Sequence, residues 1–121
     1  MKKYRSKFEK TLATMYPNAS YEEEKLSYII PETKHTYTPD FIITTKSGKK
    51  IYIESKGRFS TKDRKKMVLI KEQYPELDIR IVFQNANITI TPQSKTTVSE
   101  WCIKHGFIYG NLKTIAIWIK E

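Results

Sequence analysis

YTPDFIITTKSGKKIYIESKG, residues 37–57, consists of two largely apolar runs separated by three residues of turn-forming character. The pattern predicts a β-hairpin with strands over residues 40–45 and 49–55. The connection, Lys46-Ser47-Gly48, suits a three-residue loop in which Gly48 takes the left-handed conformation. The turn type fixes the register of the two strands, so the hairpin can be examined pair by pair.

Pairing outward from this loop brings charged side chains together. Thr45 pairs with Lys49, and the same register places Asp40 opposite Glu54. Directly opposed residues have Cβ atoms about 4.5–5.5 Å apart. Side chains alternate along a strand, so Lys56 lies on the same face as Glu54. The hairpin therefore predicts two carboxylates and an ammonium group at one place.

Opposed carboxylates destabilise a sheet unless a cation compensates them. Lys56 supplies part of that compensation, and the three residues then form a surface cluster on an exposed hairpin. A divalent cation is the alternative, because Asp40 and Glu54 offer the hard oxygen ligands that Mg²⁺ prefers. A water molecule activated by such an ion could attack a phosphodiester, with Lys56 polarising the water or offsetting charge on the phosphate. Geometry alone leaves both interpretations open.

The net charge indicates a polyanionic partner. The 121 residues carry a formal charge of +9, and residues 46–71 contain ten basic residues against Glu54 and Asp63. Such clustering is typical of proteins that bind the phosphate backbone of nucleic acids. A solubilising surface is the alternative, and an acidic membrane surface is less favoured because the window has no strongly amphipathic apolar face.

Length and composition indicate one globular domain spanning residues 1–121. We find no apolar run long enough to cross a membrane and no signal peptide, so we expect a cytoplasmic protein. Cys102 is the single cysteine, which excludes an internal disulfide and a cysteine-based zinc cluster within one chain.

Hydrophobic periodicity predicts three helices and several strands. The helices cover residues 6–16, residues 61–74 and a short segment that begins at the Thr97–Glu100 capping box and stops near Gly106. Besides the hairpin, KLSYII (25–30) and DIRIVF (78–83) read as strands, and TIAIWIK (114–120) as a last turn or strand. This mixture predicts an α/β or α+β fold around a small mixed sheet.

Beyond these patterns, the chain resembles a known family. Pro39-Asp40, thirteen intervening residues and Glu54-Ser55-Lys56 resemble the PD-(D/E)XK signature of restriction-endonuclease-like nucleases. The surrounding segments are more specific, and together they look like the phage endonuclease I family of Holliday-junction resolving enzymes: HTYTPDF (35–41), ESKG (54–57), DRKK (63–66), EQYPELDIRIVF (72–83) and KHG (104–106). The resemblance covers essentially the whole chain in the family's order.

The resemblance implies a fold, an assembly and a substrate. The fold would be a restriction-endonuclease-like mixed β-sheet flanked by helices. The assembly would be a segment-exchanged homodimer, in which the N-terminal helix and first strand pass to the other subunit. The region from Pro31 to Pro39 is a plausible hinge for that exchange. The substrate would be four-way and branched DNA, cut by paired incisions with Mg²⁺, for which Mn²⁺ is a possible substitute.

The resemblance also assigns roles to residues. Asp40 and Glu54 would bind metal, Ser55 would offer its backbone carbonyl, and Lys56 would be catalytic. Glu9, from the opposite subunit, would complete a site with two Mg²⁺ ions. Residue pattern alone gives Glu9 a different role, since Ser6-Lys7-Phe8-Glu9 reads as a capping box in which Glu9 satisfies a backbone donor.

Basic residues near the site are the candidate DNA contacts: Lys2, Lys3, Arg5, Lys50, Arg58, Lys62, Arg64, Lys65 and Lys66. His35 is a minor catalytic candidate. Glu22, Glu23 and Glu24 read as a solvated acidic run without catalytic spacing. A sequence-specific restriction-type nuclease and a non-catalytic junction-binding protein are the alternative functions.

Overall fold

A mixed five-stranded sheet forms the centre of the protein. The computed structural model describes residues 4–30 and 33–121, and within them the chain order is α1 (Lys7–Met15), β1 (Ser20–Tyr21), β2 (Leu26–Ile30), β3 (Thr33–Tyr37), β4 (Phe41–Thr44), β5 (Lys50–Lys56), α2 (Thr61–Gln73), β6 (Ile79–Phe83), α3 (Val98–His105), β7 (Ile108–Gly110) and α4 (Leu112–Ile119). The central sheet has the order β1-β4-β5-β6-β7, and β2 pairs with β3 in a separate two-stranded sheet. The predicted mixed sheet flanked by helices is confirmed.

The β4–β5 hairpin has the register that the loop predicts. Phe41 pairs with Ile53, and the Thr45 amide donates to the Lys49 carbonyl at 2.8 Å. Gly48 has a φ of 90°, a conformation that costs other residues steric strain. Continuing this register by one residue from Phe41 brings Asp40 opposite Glu54.

Parallel pairing of β5, β6 and β7 follows from the intervening helices. Antiparallel strands can be joined by a tight turn, whereas parallel neighbours need a crossover such as α2 between β5 and β6 or α3 between β6 and β7. Every residue of β6 is buried, as expected for a strand covered on both faces.

Two hydrophobic cores cover the two faces of the central sheet. On one face α1 and α4 pack over the sheet, burying Leu12, Phe41, Ile51, Ile53, Ile115 and Trp118. On the other face α2, α3 and the β2–β3 sheet bury Tyr37, Tyr52, Met67, Ile81, Phe83 and Trp101. Each fully buried aliphatic or aromatic side chain contributes about 1.5–3 kcal/mol of transfer free energy. The cores hold the strand ends, where the charged residues lie, in fixed positions.

The predicted turn or strand over residues 114–120 is wrong. TIAIWIK forms most of helix α4 rather than a turn or strand. The Asn111 side chain accepts hydrogen bonds from the amides of Lys113 and Thr114, which starts the helix. Ile115 and Trp118, three residues apart, face the core. The helical signal was the Asn111 cap together with this spacing, and the alternation of isoleucines obscured it.

The predicted hinge region contains a strand, and its role in segment exchange stays a prediction. Of the region between Pro31 and Pro39, residues 33–37 form strand β3, each paired with a residue of β2. Pro31 lies outside the described residues. The short strands β1 and β7 were also not predicted, because two or three residues give no readable periodicity. No helix within the described residues has the length and apolar character that crossing a membrane requires.

Candidate active site

The predicted acid pair lies at one end of the hairpin. Asp40 immediately precedes β4, and Glu54 lies near the carboxyl end of β5. Their exposed fractions are 3% and 4%, so neither carboxylate is on a solvated surface. The interpretation as an exposed surface cluster is therefore wrong. Burial of two neighbouring carboxylates is costly unless cations and hydrogen-bond donors compensate them.

Asp40 is held by residues on both sides. Its Oδ2 accepts hydrogen bonds from the backbone amide and the hydroxyl of Ser55, both at 3.0 Å. Its Oδ1 accepts a hydrogen bond of 3.0 Å from Arg5 Nη2. Burial raises the pKa of Asp40 above its usual range, and the Ser55 hydrogen bonds and Arg5 oppose that shift while Glu9 adds to it. Ser55 thus fixes the orientation of Asp40.

Glu54 has a different set of partners. Tyr37 Oη donates to its Oε1 at 3.0 Å, and Lys56 Nζ lies 3.2 Å from its Oε2. Burial, and then repulsion from Asp40, raises the pKa of Glu54 to about 7, although Lys56 and Lys66 oppose the shift. The pKa of each buried carboxylate is thus raised even though cations lie beside both of them.

Lys56 connects Glu54 to helix α2. Its Nζ lies between Glu54 Oε2 and Asp63 Oδ1, the latter at 3.3 Å. Burial lowers the pKa of Lys56, but the two carboxylates outweigh burial and raise the pKa above its usual value. Lys56 is therefore an ammonium group at neutral pH, which suits it to stabilising negative charge better than to accepting a proton.

Glu9 makes only half of the predicted capping box. The Glu9 amide donates to Ser6 Oγ at 3.1 Å, which caps α1. Its carboxylate does not return to the Ser6 amide, because Oε1 accepts hydrogen bonds from Tyr21 Oη at 2.7 Å and from the Arg5 amide at 3.0 Å. The side chain is buried and points toward the acid cluster. Glu9 lies beside Asp40 of its own chain.

Glu22 is the residue that sequence reasoning missed. Oxygen atoms of Glu9, Glu22 and Asp40 all lie within 4.8 Å of one another, an arrangement that could hold a metal ion. Glu22 has a φ of 50°, and its Oε2 is buried without hydrogen-bond geometry to a partner. Assigning Glu22 to a solvated run was wrong, whereas Glu24 forms a surface ion pair with Lys50. No sequence signal identifies Glu22, since its position depends on the pairing of β1 with β4.

The candidate DNA contacts occupy different environments. Lys50, Arg58, Lys62 and Lys65 are exposed, and Lys66 is half-buried with its Nζ 5.1 Å from the centre of the Tyr37 ring. Lys2 and Lys3 lie outside the described residues. Arg5 contacts the acid cluster. The ring centre of His35 lies 5.8 Å from that of Tyr28. A minor catalytic role for His35 stays a prediction.

Arg64 has a structural role. It is buried, and its guanidinium donates to the backbone carbonyls of Phe59 and Ile90 and to the hydroxyl of Thr61. These bonds tie α2 to the loops on either side of it. We correct its assignment as a phosphate contact, because Arg64 lies three residues before Met67 and so shares the helix face that packs against the protein.

The acidic groups open into a cavity of about 510 Å³, which Thr36, Thr38 and Lys66 also line. A larger cavity of about 910 Å³ lies between α2 and α3, but its walls are mainly apolar and it contains none of the acid cluster. The acid cluster therefore lies in the smaller cavity, and its carboxylate oxygens are of the kind that hard divalent cations prefer.

The cavity is thus a carboxylate-rich site with an adjacent ammonium group at one end of a mixed sheet, and its oxygen atoms could hold a divalent metal ion. The chain belongs to the phage endonuclease I family, whose model matches residues 1–121. It is 48% identical over 101 residues to Endonuclease I of Escherichia phage T7 and 44% identical over the same length to Endodeoxyribonuclease 1 of Enterobacteria phage T3. Each match covers 84% of this chain but 65% and 64%, respectively, of the relative.

Proposed function

We propose that this protein is a metal-dependent DNA endonuclease and that Asp40, Glu54 and Lys56 form its reaction centre. The observation that carries the proposal is the burial of both carboxylates at one strand end, beside an ammonium group, in a cavity open to solvent. Buried, mutually repelling carboxylates are costly to stability and are typical of functional sites. The names of the two relatives, both endonucleases, support the same class of reaction.

Asp40 and Glu54 would hold the metal, with the Ser55 carbonyl as a further ligand. Mg²⁺, or Mn²⁺ as a substitute, supplies Lewis-acid stabilisation of phosphate charge and lowers the pKa of a water molecule. Ser55 fixes the Asp40 carboxylate through two hydrogen bonds, and Tyr37 fixes Glu54 through one. Lys56, held between Glu54 and Asp63, stabilises the negative charge that develops on the phosphate.

Glu9 would complete the site as a ligand to a second ion. Its buried carboxylate lies within reach of the Asp40 oxygens. In the homodimer that we propose, α1 and the first strand are exchanged, and Glu9 occupies the same position beside Asp40 of the other subunit. Within one chain Glu9 lies beside Asp40. After exchange of the helix, Glu9 would make the same contact with Asp40 of the other subunit.

DNA would approach along the basic surface next to the cavity. Lys62 and Lys65 are exposed on α2, and Lys66 lines the cavity itself. Arg58 lies in the connection between β5, which carries Glu54, and α2. These side chains neutralise phosphates without reading sequence, which suits a substrate recognised by its backbone shape.

We propose four-way DNA junctions as the substrate. Two identical sites related by a two-fold axis would cut two strands at symmetric positions, and the backbone of a four-way junction has that symmetry. The resemblance read from the sequence motifs implies such a substrate, and the family match over residues 1–121 supports an endonuclease.

The test compares a four-way junction with linear duplexes made from the same arms, each with Mg²⁺ and with EDTA. We expect paired incisions in the junction, at least tenfold faster than cutting of the duplexes, and none with EDTA. Faster cutting of one linear sequence would indicate a restriction-type nuclease. Tight junction binding without cutting under any metal would indicate a non-catalytic binding protein.

A further inference from the structure

Arg5 places a cation inside the acid cluster. Its Nη2 lies 3.0 Å from Asp40 Oδ1, 2.9 Å from Glu22 Oε2 and 3.9 Å from Glu9 Oε2. These are the same three carboxylates whose oxygens lie within 4.8 Å of one another. One nitrogen therefore occupies the position in which a metal ion bound by the three residues would lie.

The backbone of Arg5 is held more firmly than its guanidinium group. Its backbone amide is fixed by hydrogen bonds to Glu9 Oε1 and Tyr21 Oη. Its side chain is 68% exposed, and its contacts with the acids are made by the guanidinium. The guanidinium can therefore leave the cluster by side-chain rotation while the start of α1 stays in place.

We propose that Arg5 is an internal counter-ion that a divalent cation displaces. This inference rests on the second metal position of the proposed function, the one that Glu9 and Asp40 would hold. Asp40 and Glu9 are buried and need a neighbouring cation when no metal is present, and Arg5 provides it. A guanidinium and a metal ion cannot both occupy the cluster, because they repel one another and need the same oxygens. Metal binding and release of Arg5 are thus one linked equilibrium.

Once a metal ion has displaced it from the acid cluster, the Arg5 guanidinium can bind DNA phosphates. The freed guanidinium stays at the rim of the cavity, since its backbone is anchored beside Glu9. There it meets the phosphates of bound DNA, for which its bidentate geometry is well suited. Metal binding therefore moves the positive charge of Arg5 from the acid cluster to the rim of the cavity, where it faces the substrate.

The test measures metal affinity without DNA. Calorimetric titration with Mn²⁺ compares the wild type, Arg5→Gln and Lys10→Gln, which removes the same charge from the exposed side of α1. We expect Arg5→Gln to bind Mn²⁺ roughly 2- to 5-fold more tightly than Lys10→Gln, the scale on which partly exposed ion pairs act. Equal or weaker binding by Arg5→Gln would overturn the proposal.

A second measurement needs no variant. The guanidinium Nε–H resonance of Arg5 in the wild type, followed by NMR during titration with Mg²⁺, should move in step with metal binding. An unchanged resonance at saturating Mg²⁺ would also overturn the proposal. If one of these two results contradicted the role of Arg5 while the protein still cut DNA with Mg²⁺, the proposed function would be unaffected. Absence of metal binding and of cutting in all forms would remove both.

Discussion

Tyr37 Oη donates a 3.0 Å hydrogen bond to Glu54 Oε1, and this bond joins the two-stranded β2–β3 sheet to the central sheet at the candidate active site. Tyr37 is fully buried, and Lys66 lies over its ring. The segment before Asp40 therefore contributes a group that orients a carboxylate of the proposed metal site.

Replacing Tyr37 by Phe should change the pH dependence of the site. A hydrogen bond to an ionised carboxylate lowers its pKa. Removing the Tyr37 hydroxyl should therefore raise the pKa of Glu54 above its present value of about 7. Because a proton on Glu54 competes with the metal, we expect cleavage at pH 7 and limiting Mg²⁺ to fall about 5- to 30-fold, the scale of 1–2 kcal/mol. The deficit should narrow by pH 9, where Glu54 is ionised in both proteins.

The measurement is the pH profile of Mg²⁺-dependent cleavage, with Tyr28→Phe on the adjacent strand β2 as the matched control. A uniform loss of activity at every pH would assign Tyr37 a structural role only.

Glu54 should destabilise the metal-free protein at high pH. Its pKa is about 7 in the fold against an ordinary value of 4.5, so the folded chain holds a proton that the unfolded chain releases between these values. Stability therefore falls as the pH rises from 4.5 through 7. With EDTA at pH 8, Glu54→Gln should be more stable than the wild type by about 1–3 kcal/mol, and the difference should vanish near pH 5.

Urea unfolding at the two pH values checks this expectation. Glu76→Gln, at an exposed position, is the control and should change little at either pH. A less stable Glu54→Gln at pH 8 without metal would show that Lys56 and Tyr37 fully compensate the charge.

The hairpin could be read from the sequence because its information is local. The loop of Lys46, Ser47 and Gly48 fixes the register, and the register and strand alternation together bring Asp40, Glu54 and Lys56 to one strand end. Helices α2 and α3 were equally readable, since their caps and buried faces lie within a few residues of each other. The roles of Glu9 and Ser55 came from the family resemblance and not from spacing, whereas the hairpin by itself left a metal ion as one of two interpretations.

Contacts between distant segments could not be read in the same way. Glu22 meets Asp40 only because a two-residue strand pairs with β4, and Arg5 reaches both from before the first helix. Arg64 was misassigned because a basic run gives no sign of which member turns inward to donate to loop carbonyls.

A composite active site predicts complementation between inactive variants. Glu9→Gln and Asp40→Asn should each abolish cutting alone. In a mixed dimer with exchanged segments, one site would contain both substitutions and the other none, so incision of one strand should return. Sites built within one chain would all remain defective.

The measurement is junction nicking after the two purified variants are unfolded together and refolded. Each variant refolded alone is the control. Activity no greater than in those controls, with mixed dimers present by mass spectrometry, would contradict segment exchange.

Lys62 and Lys65 should contribute to DNA binding by neutralising phosphates. Replacing both with Gln should weaken binding and lower the slope of log affinity against log salt concentration by about 0.9 for each phosphate that is no longer neutralised. Fluorescence anisotropy over a salt series measures the slope, and Lys104→Gln, at an exposed position near the end of α3, is the control. A slope equal to that of the control would place the DNA elsewhere.

The central claim is that the cluster of Asp40, Glu54 and Lys56 cuts DNA with a bound divalent metal. Its most direct test is single-turnover cleavage of a four-way junction with Mg²⁺ by the wild type and by Asp40→Asn, with junction binding measured in parallel and Asp78→Asn as the control. We expect Asp40→Asn to lose on the order of a thousandfold in rate, about 4 kcal/mol, while its junction affinity stays within about threefold of the wild type. Cleavage by Asp40→Asn at the wild-type rate would contradict the account.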